Sequence, residues 1–265
     1  RDAASWRWPA GGAEGVSPMF ELDRALIREV AVRLAAARGL RWVIGGACSG
    51  KSTVCQIIAR RTGVPVYDMD EHVYGRYMSR YSASRHPAST AWFKRGDGLR
   101  WVLSLPWEAF DGLNRATNAE FLDLVAEDVA ERYGDRPLLV DGGITHPSVL
   151  AAAVDPSRIV CLAVDDAESR RIWTEDEARA GMRGAVERLP GVGDGWATFL
   201  TFNERMNATI EREAREQGIV VLARTTAESA EDVSRTVMGA LGIEGEDGSA
   251  SARRGATMGG TRRRA

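Results

Sequence analysis

Lysine is almost missing from this chain. Of its 35 basic residues only Lys51 and Lys94 are lysine, and the rest are arginine. A lysine kept against that bias marks a place where the ammonium itself is needed. Cysteine is scarce too: Cys48, Cys55 and Cys161 form an odd set at unrelated spacings. That excludes a disulfide framework and a zinc pattern and suits a reducing cytoplasm, the expected location. No apolar run approaches the roughly 20 residues of a membrane span, and no secretory pattern opens the chain, so no membrane partner is expected. Arg1 in place of Met reads as a trimmed or incomplete start. Charge of one sign is lacking as well. The formal net charge is −2, which gives no global field for nucleic acid. His72, His86 and His146 are the full set of histidines, too scattered for a metal site.

What is present is a chain of 265 residues, 44% hydrophobic, enough for one sizeable core. Residues 1–19 carry Gly, Pro and Ala without period and read as a loose arm; 245–265, rich in Gly, Ser, Ala and Arg, read as a disordered basic tail. Between them, helical periodicity falls at 20–37, 51–61, 119–133, 167–188, 202–217 and 228–241. Short apolar runs fall at 41–44, 64–67, 137–141, 158–164 and 219–222 and read as strands. Strands alternating with helices predict an α/β fold of three layers, with a mainly parallel five-stranded sheet. Residues 71–136 hold no clear strand and read as a helical insertion between strands two and three.

One motif carries the chemistry. Gly45-Gly46-Ala47-Cys48-Ser49-Gly50-Lys51-Ser52, followed by Thr53, fits G-x-x-x-x-G-K-[ST] in full. Its glycines let the backbone curl so that successive N–H groups point at phosphate oxygens. The helix that follows presents its N-terminus to the same anion. Lys51 would reach the β- and γ-phosphates, and the Ser52 hydroxyl would meet Mg²⁺. An apolar strand before the motif and a helix after it complete the expected setting. ATP and Mg²⁺ are therefore the expected cofactors.

Acids mark the ends of two other strands. Strand three closes as Leu138-Leu139-Val140-Asp141, and a carboxylate there can hold Mg²⁺. Strand two runs into Asp68 and Asp70. Side chains two apart on a strand point the same way, so both carboxylates are expected on one side, at the edge where open α/β sheets bind ligands. One can organise the metal while the other takes a proton from an attacking hydroxyl.

The set "GGACSGKST", "YDMD" and "VDGG" resembles the small-molecule kinases of the shikimate and gluconate kinase type, within the nucleoside-monophosphate-kinase-like fold. The resemblance spans about residues 40–240. It implies that Asp68 sits near the metal, that Asp70 binds the substrate hydroxyl, and that Gly142 and Gly143 lend backbone amides to the substrate. It also implies an acceptor-binding role for the insertion and an arginine-bearing lid after strand four, here residues 167–207. Arg183 is the first candidate in that lid for stabilising transferred charge, then Arg179 and Arg205. His72, two residues past Asp70, and His146, in "GGITHP", are expected substrate contacts. The expected activity is ATP-dependent phosphorylation of a small-molecule hydroxyl, by a monomer or homodimer. The alternatives are an ATPase or a nucleotide-sensing protein that acts on a partner.

Overall fold

The computed structural model describes residues 20–225 and 228–244. The segments read as arm and tail, and Thr226 of the turn after strand five, lie outside the described residues. The strands are β1 (Leu40–Gly45), β2 (Val66–Asp68), β3 (Leu138–Asp141), β4 (Ile159–Ala163) and β5 (Val220–Ala223). They form one all-parallel sheet in the order β2-β3-β1-β4-β5.

The strands that carry the sheet's centre are apolar on both faces, as strands covered on two sides must be. Their side chains alternate between two cores. Leu40, Trp42 and Ile44 of β1, Leu138 and Val140 of β3, and Ile159 and Cys161 of β4 enter one core. The helices α1 (Arg24–Leu34) and α6 (Trp107–Asp128) fill it from above. Val43, Leu139, Val160 and Leu162 enter the other, against α2 (Lys51–Thr62) and α11 (Ala230–Leu241). The result is helix, sheet, helix, the three layers expected.

The insertion is helical throughout its ordered elements: α3 (Met69–Val73), α4 (Pro87–Phe93), α5 (Gly98–Ser104) and α6, whose end continues as one π turn to Tyr133. The helix expected at 119–133 thus starts twelve residues earlier, at Trp107. Buried side chains surround α6 on all sides from Leu113 to Asp128, so the periodic contrast that defines a half-exposed helix is lost. α6 is tied to its surroundings by a buried acid. Asp123, fully buried, accepts from Arg85 (2.7 and 2.8 Å), Arg33 and the His86 ring (3.0 Å). Burial opposes ionisation there, but these donors hold its carboxyl well below the usual carboxylate range.

After β3 comes a short helix, α7 (Pro147–Ala151). After β4, the single helix expected at 167–188 is two: α8 (Asp166–Glu175) and α9 (Ala180–Glu187). Asp176 breaks it. Its backbone is extended, and its side chain accepts from Ala178 N to start a 3-10 turn through Arg179. α10 (Gly195–Glu216) follows, capped by Asp194, and also starts earlier than its periodicity suggested. A third apolar cluster joins this segment to the insertion. Val186 and Phe202 are buried with Trp101, Phe110 and Leu113, while Leu189, Val192 and Trp196 pack at its edge. Among the described residues no helix is long and apolar enough to cross a membrane.

Candidate functional site

Strand order sets the site. β1 lies at the centre, between β3 and β4, so the loop that follows it opens at the middle of the sheet's carboxyl edge. Residues 46–50 form that loop, and Lys51 begins α2. Gly50 is the N-cap of α2 with φ +83°, a left-handed conformation. Gly46 is needed for a different reason: a Cβ there would overlap the Asn207 side-chain amide of α10. Cys48, φ +67°, is the one non-glycine residue with positive φ among those described, a conformation that costs roughly 1–2 kcal/mol. Lys51 Nζ donates to the Gly46 carbonyl at 2.8 Å, so the ammonium closes back over its own loop. Ser49 is fully buried and its hydroxyl has no partner.

The acids converge on this loop. Asp68 and Asp141 are register partners across β2 and β3, so their backbones are neighbours. Asp141 is 6% exposed and its Oδ1 has no hydrogen bond. Burial raises its carboxyl above the ordinary 3.8; the Ser52 hydroxyl and Lys51 oppose that, and Asp68 and Asp70 add to it. Asp70 is exposed. The crowding around it still removes enough water that desolvation is the largest cause of its raised direction. Lys51 and Arg179 pull it down, and Asp68 pushes it up. Three carboxylates, one ammonium and one guanidinium therefore share one electrostatic neighbourhood. Among the described residues no three His, Cys, Asp or Glu side chains are arranged to cage a metal ion by themselves.

The route by which Asp68 and Asp70 come together corrects the strand argument. β2 ends at Asp68, and Asp70 lies in the first turn of α3. Asp68 is the N-cap of that helix and accepts from Glu71 N at 3.1 Å. The two side chains do not share a strand face; one caps a helix and the other rides on it.

The histidines are corrected as well. His72 is 6% exposed, its ring stacked on Tyr67 (3.8 Å between centroids), and its Nδ1 donates to the Asp68 carbonyl at 2.6 Å. It anchors α3 to β2 from beneath instead of meeting a substrate. His146 is 2% exposed and lies between Glu213 (Nδ1–Oε1 3.3 Å) and Asp111 (Nε2–Oδ1 3.6 Å). Burial opposes the charge on Glu213, but His146, Ser148 and Arg115 together hold its carboxyl well below the usual range. His146 is thus part of a closed polar network between α6, α7 and α10.

Gly142 and Gly143 follow β3 as expected, both with positive φ (+70° and +74°). The turn is held from two sides. The Gly142 carbonyl accepts from Trp42 Nε1 at 2.9 Å, and Gly142 N donates to the Val43 carbonyl at 2.9 Å. A Cβ on Gly143 would run into the Met69 side chain at the start of α3.

Arg183 is not the arginine nearest this group. Its Nε donates to Glu187 at 2.7 Å, and its guanidinium lies over the Trp196 ring at 5.8 Å. Arg179 lies over the Trp173 ring at 4.8 Å and acts electrostatically on both Asp70 and Cys48. Arg205 lies over Trp107 at 5.5 Å. Two further residues at the loop carried no motif. Asn207 is 8% exposed, its Oδ1 unpartnered, against Gly46. Arg224, after β5, brings its Nη1 to 3.0 Å from the position of a Cβ on Gly50.

No protein-family model matches the sequence, and no curated protein matches it. Twenty-six chains among solved structures do. One is the crystal structure of TT1252 from Thermus thermophilus, 20% identical, with 77% of this chain and 96% of that chain covered and a TM-score of 0.43.

Proposed function

We propose that the protein is an ATP- and Mg²⁺-dependent phosphotransferase that acts on a small-molecule hydroxyl. The observation that carries this reading is the gathering of Lys51, Ser52, Asp68, Asp70 and Asp141 around one glycine loop. The residues fit the groups the reading needs. The buried, unpartnered Asp141 Oδ1 beside Ser52 is suited to a hydrated cation, and the Arg224 guanidinium stands against Gly50 where it can meet an anion at the loop. ATP would supply the phosphoryl group, and Mg²⁺ the neutralisation of charge between its phosphates.

Lys51 and the backbone of residues 45–52 would hold the phosphates. Ser52 and Asp141, with Asp68 beside them, would hold the cation. Asp70 would take the proton from the acceptor hydroxyl. Its raised pKa direction makes it a better proton acceptor than an ordinary carboxylate. Arg179 would offset the negative charge that builds on the transferred group.

The test is transfer from γ-labelled ATP with Mg²⁺ across a panel of hydroxylated compounds. Asp70→Asn is expected to lower transfer by about 10²–10⁴-fold. In the native enzyme kcat/KM should fall on the acid side through a pKa above the ordinary 3.8, and that limb should disappear in the variant. ATP turnover that ignores every acceptor and survives Asp70→Asn would overturn the reading and point to an ATPase.

A further inference from the structure

Among the described residues, Ser49 Oγ, Asp141 Oδ1 and Asn207 Oδ1 are buried polar atoms without a partner that lie in or against the glycine loop. Such atoms are rare in native proteins and ask for an explanation. Asp141 belongs to the acids already described, and Ser49 to the loop itself. Asn207 comes from outside both. It is carried by the middle of α10 and is 8% exposed.

Asn207 accounts for a residue that the motif does not. The pattern G-x-x-x-x-G-K-[ST] begins at Gly45 and asks for glycine again at Gly50, leaving position 46 open. Nor does the backbone ask for glycine there, since Gly46 is not among the glycines with positive φ. What excludes a side chain is Asn207: a Cβ on Gly46 would stand 2.6 Å from its Cγ and closer still to its Oδ1. The two residues fill one space between them. A cavity lined by Gly46, Asn207, Cys161, Leu162, Ile210 and Glu211 opens beside the contact, so little else backs Gly46 on that side.

Gly46 is also where Lys51 rests. Its carbonyl accepts from Lys51 Nζ at 2.8 Å. An ammonium that turns from that carbonyl to a phosphate takes away a charge-assisted hydrogen bond. Gly46 is then left with Ser49 N, 3.4 Å from the same carbonyl, and with the Asn207 amide against its Cα. Asn207 is itself tied into the segment after β4. Its Nδ2 donates to Ser169 Oγ of α8 at 3.4 Å, and the Ser169 hydroxyl donates to the Ala47 carbonyl at 3.5 Å. Both bonds are long, and together they join α8 and α10 to consecutive residues of the loop.

We propose that Asn207 is a positioning residue for a bound nucleotide: it holds Gly46, and so the glycine loop, in the shape that receives the phosphates when Lys51 turns to them. It acts through Gly46 and not by touching a phosphate. The word nucleotide rests on the phosphotransferase reading. The test is calorimetric titration of the full chain with Mg²⁺ and a non-hydrolysable ATP analogue, with thermal melting of each variant. Asn207→Ala is expected to weaken binding about tenfold or more. Asn207→Ser, a milder loss that still does not reach Gly46, is run beside it and should weaken binding likewise. The control is Asn203→Ala, one turn earlier on α10. Asn203 is also 8% exposed, and its Nδ2 donates to the Phe199 carbonyl of its own helix at 2.8 Å. Its melting temperature reports the general cost of losing a buried amide, and it should bind within about threefold of the native chain. Gly46→Ala should weaken binding at least as much as Asn207→Ala. The double variant should bind no more weakly than Asn207→Ala alone, because the new Cβ then has room. Equal losses in Asn207→Ala and Asn203→Ala, no loss in either Asn207 variant, or a double variant as weak as the two single losses multiplied overturns the inference and leaves the phosphotransferase reading standing. A native chain that does not bind the analogue overturns both. The expected pattern of binding, with no transfer to any hydroxyl, supports the inference and sinks that reading.

Discussion

At the scale of the residue, the deciding contrast is between two arginines. Arg183 is held by Glu187 and Trp196. Arg179, among the described residues, has no carboxylate within ion-pair distance and acts on Asp70. Arg179→Ala is therefore expected to lower kcat by about 10²-fold or more, and Arg183→Ala by less than about threefold; steady-state kinetics checks both. A costly Arg183→Ala beside a silent Arg179→Ala would reverse the assignment. Nothing in the sequence separates these two, because arginine is the default cation of this chain and the 3-10 turn that aims Arg179 depends on the Asp176 cap. Lys51 was legible for the opposite reason: a rare residue in a motif with a mechanism. His72 and His146 were misread because a histidine next to a motif looks the same in sequence whether it faces a cleft or the core. Asn207 left no signal, since its place beside Gly46 is made by folding alone.

At the scale of the element, the turn after β3 depends on a helix far away in sequence. Asn118 of α6, 1% exposed, accepts from Thr145 N and His146 N, each at 2.8 Å. Asn118→Ala leaves both donors without that acceptor. The expected loss is about 2–4 kcal/mol of unfolding free energy and, on the proposed phosphotransferase reading, a raised acceptor KM with affinity for ATP kept. Denaturant titration and initial-rate kinetics read the two effects separately. Most elements were legible from period and stop signals, including α2 from its motif to Gly63 and α11. The boundary of β2 was not. Asp68 and Asp70 were taken for strand residues, although Asp68 stands three residues before Glu71, the spacing of a helix start. That local signal outweighed the extended pattern before it. The start of α6 was hidden by its burial, which removes the polar face that periodicity needs.

At the scale of the whole molecule, the acids at the sheet edge work against folding. Asp141 has its pKa raised in the folded state, so the native protein binds that proton more tightly than the unfolded chain does. Stability from this group is therefore present below the ordinary 3.8 and lost as pH rises through the folded value. Asp141→Asn should melt higher at pH 7, by about 2–4 °C for each kcal/mol recovered, while losing phosphoryl transfer. A lower melting temperature in thermal unfolding would show that Ser52 and Lys51 compensate the burial fully. The order of the strands has a consequence for how the chain is made. β1 pairs with β3 and β4, and its first partner residue, Leu138 for Leu40, is synthesised 98 positions later. Until then the ribosome has released a central strand, Trp42-Val43-Ile44, with neither neighbour in existence. The glycine loop is thus translated before either strand that pairs with β1. A nascent chain halted inside the insertion carries the whole phosphate motif and none of the sheet pairing that holds it.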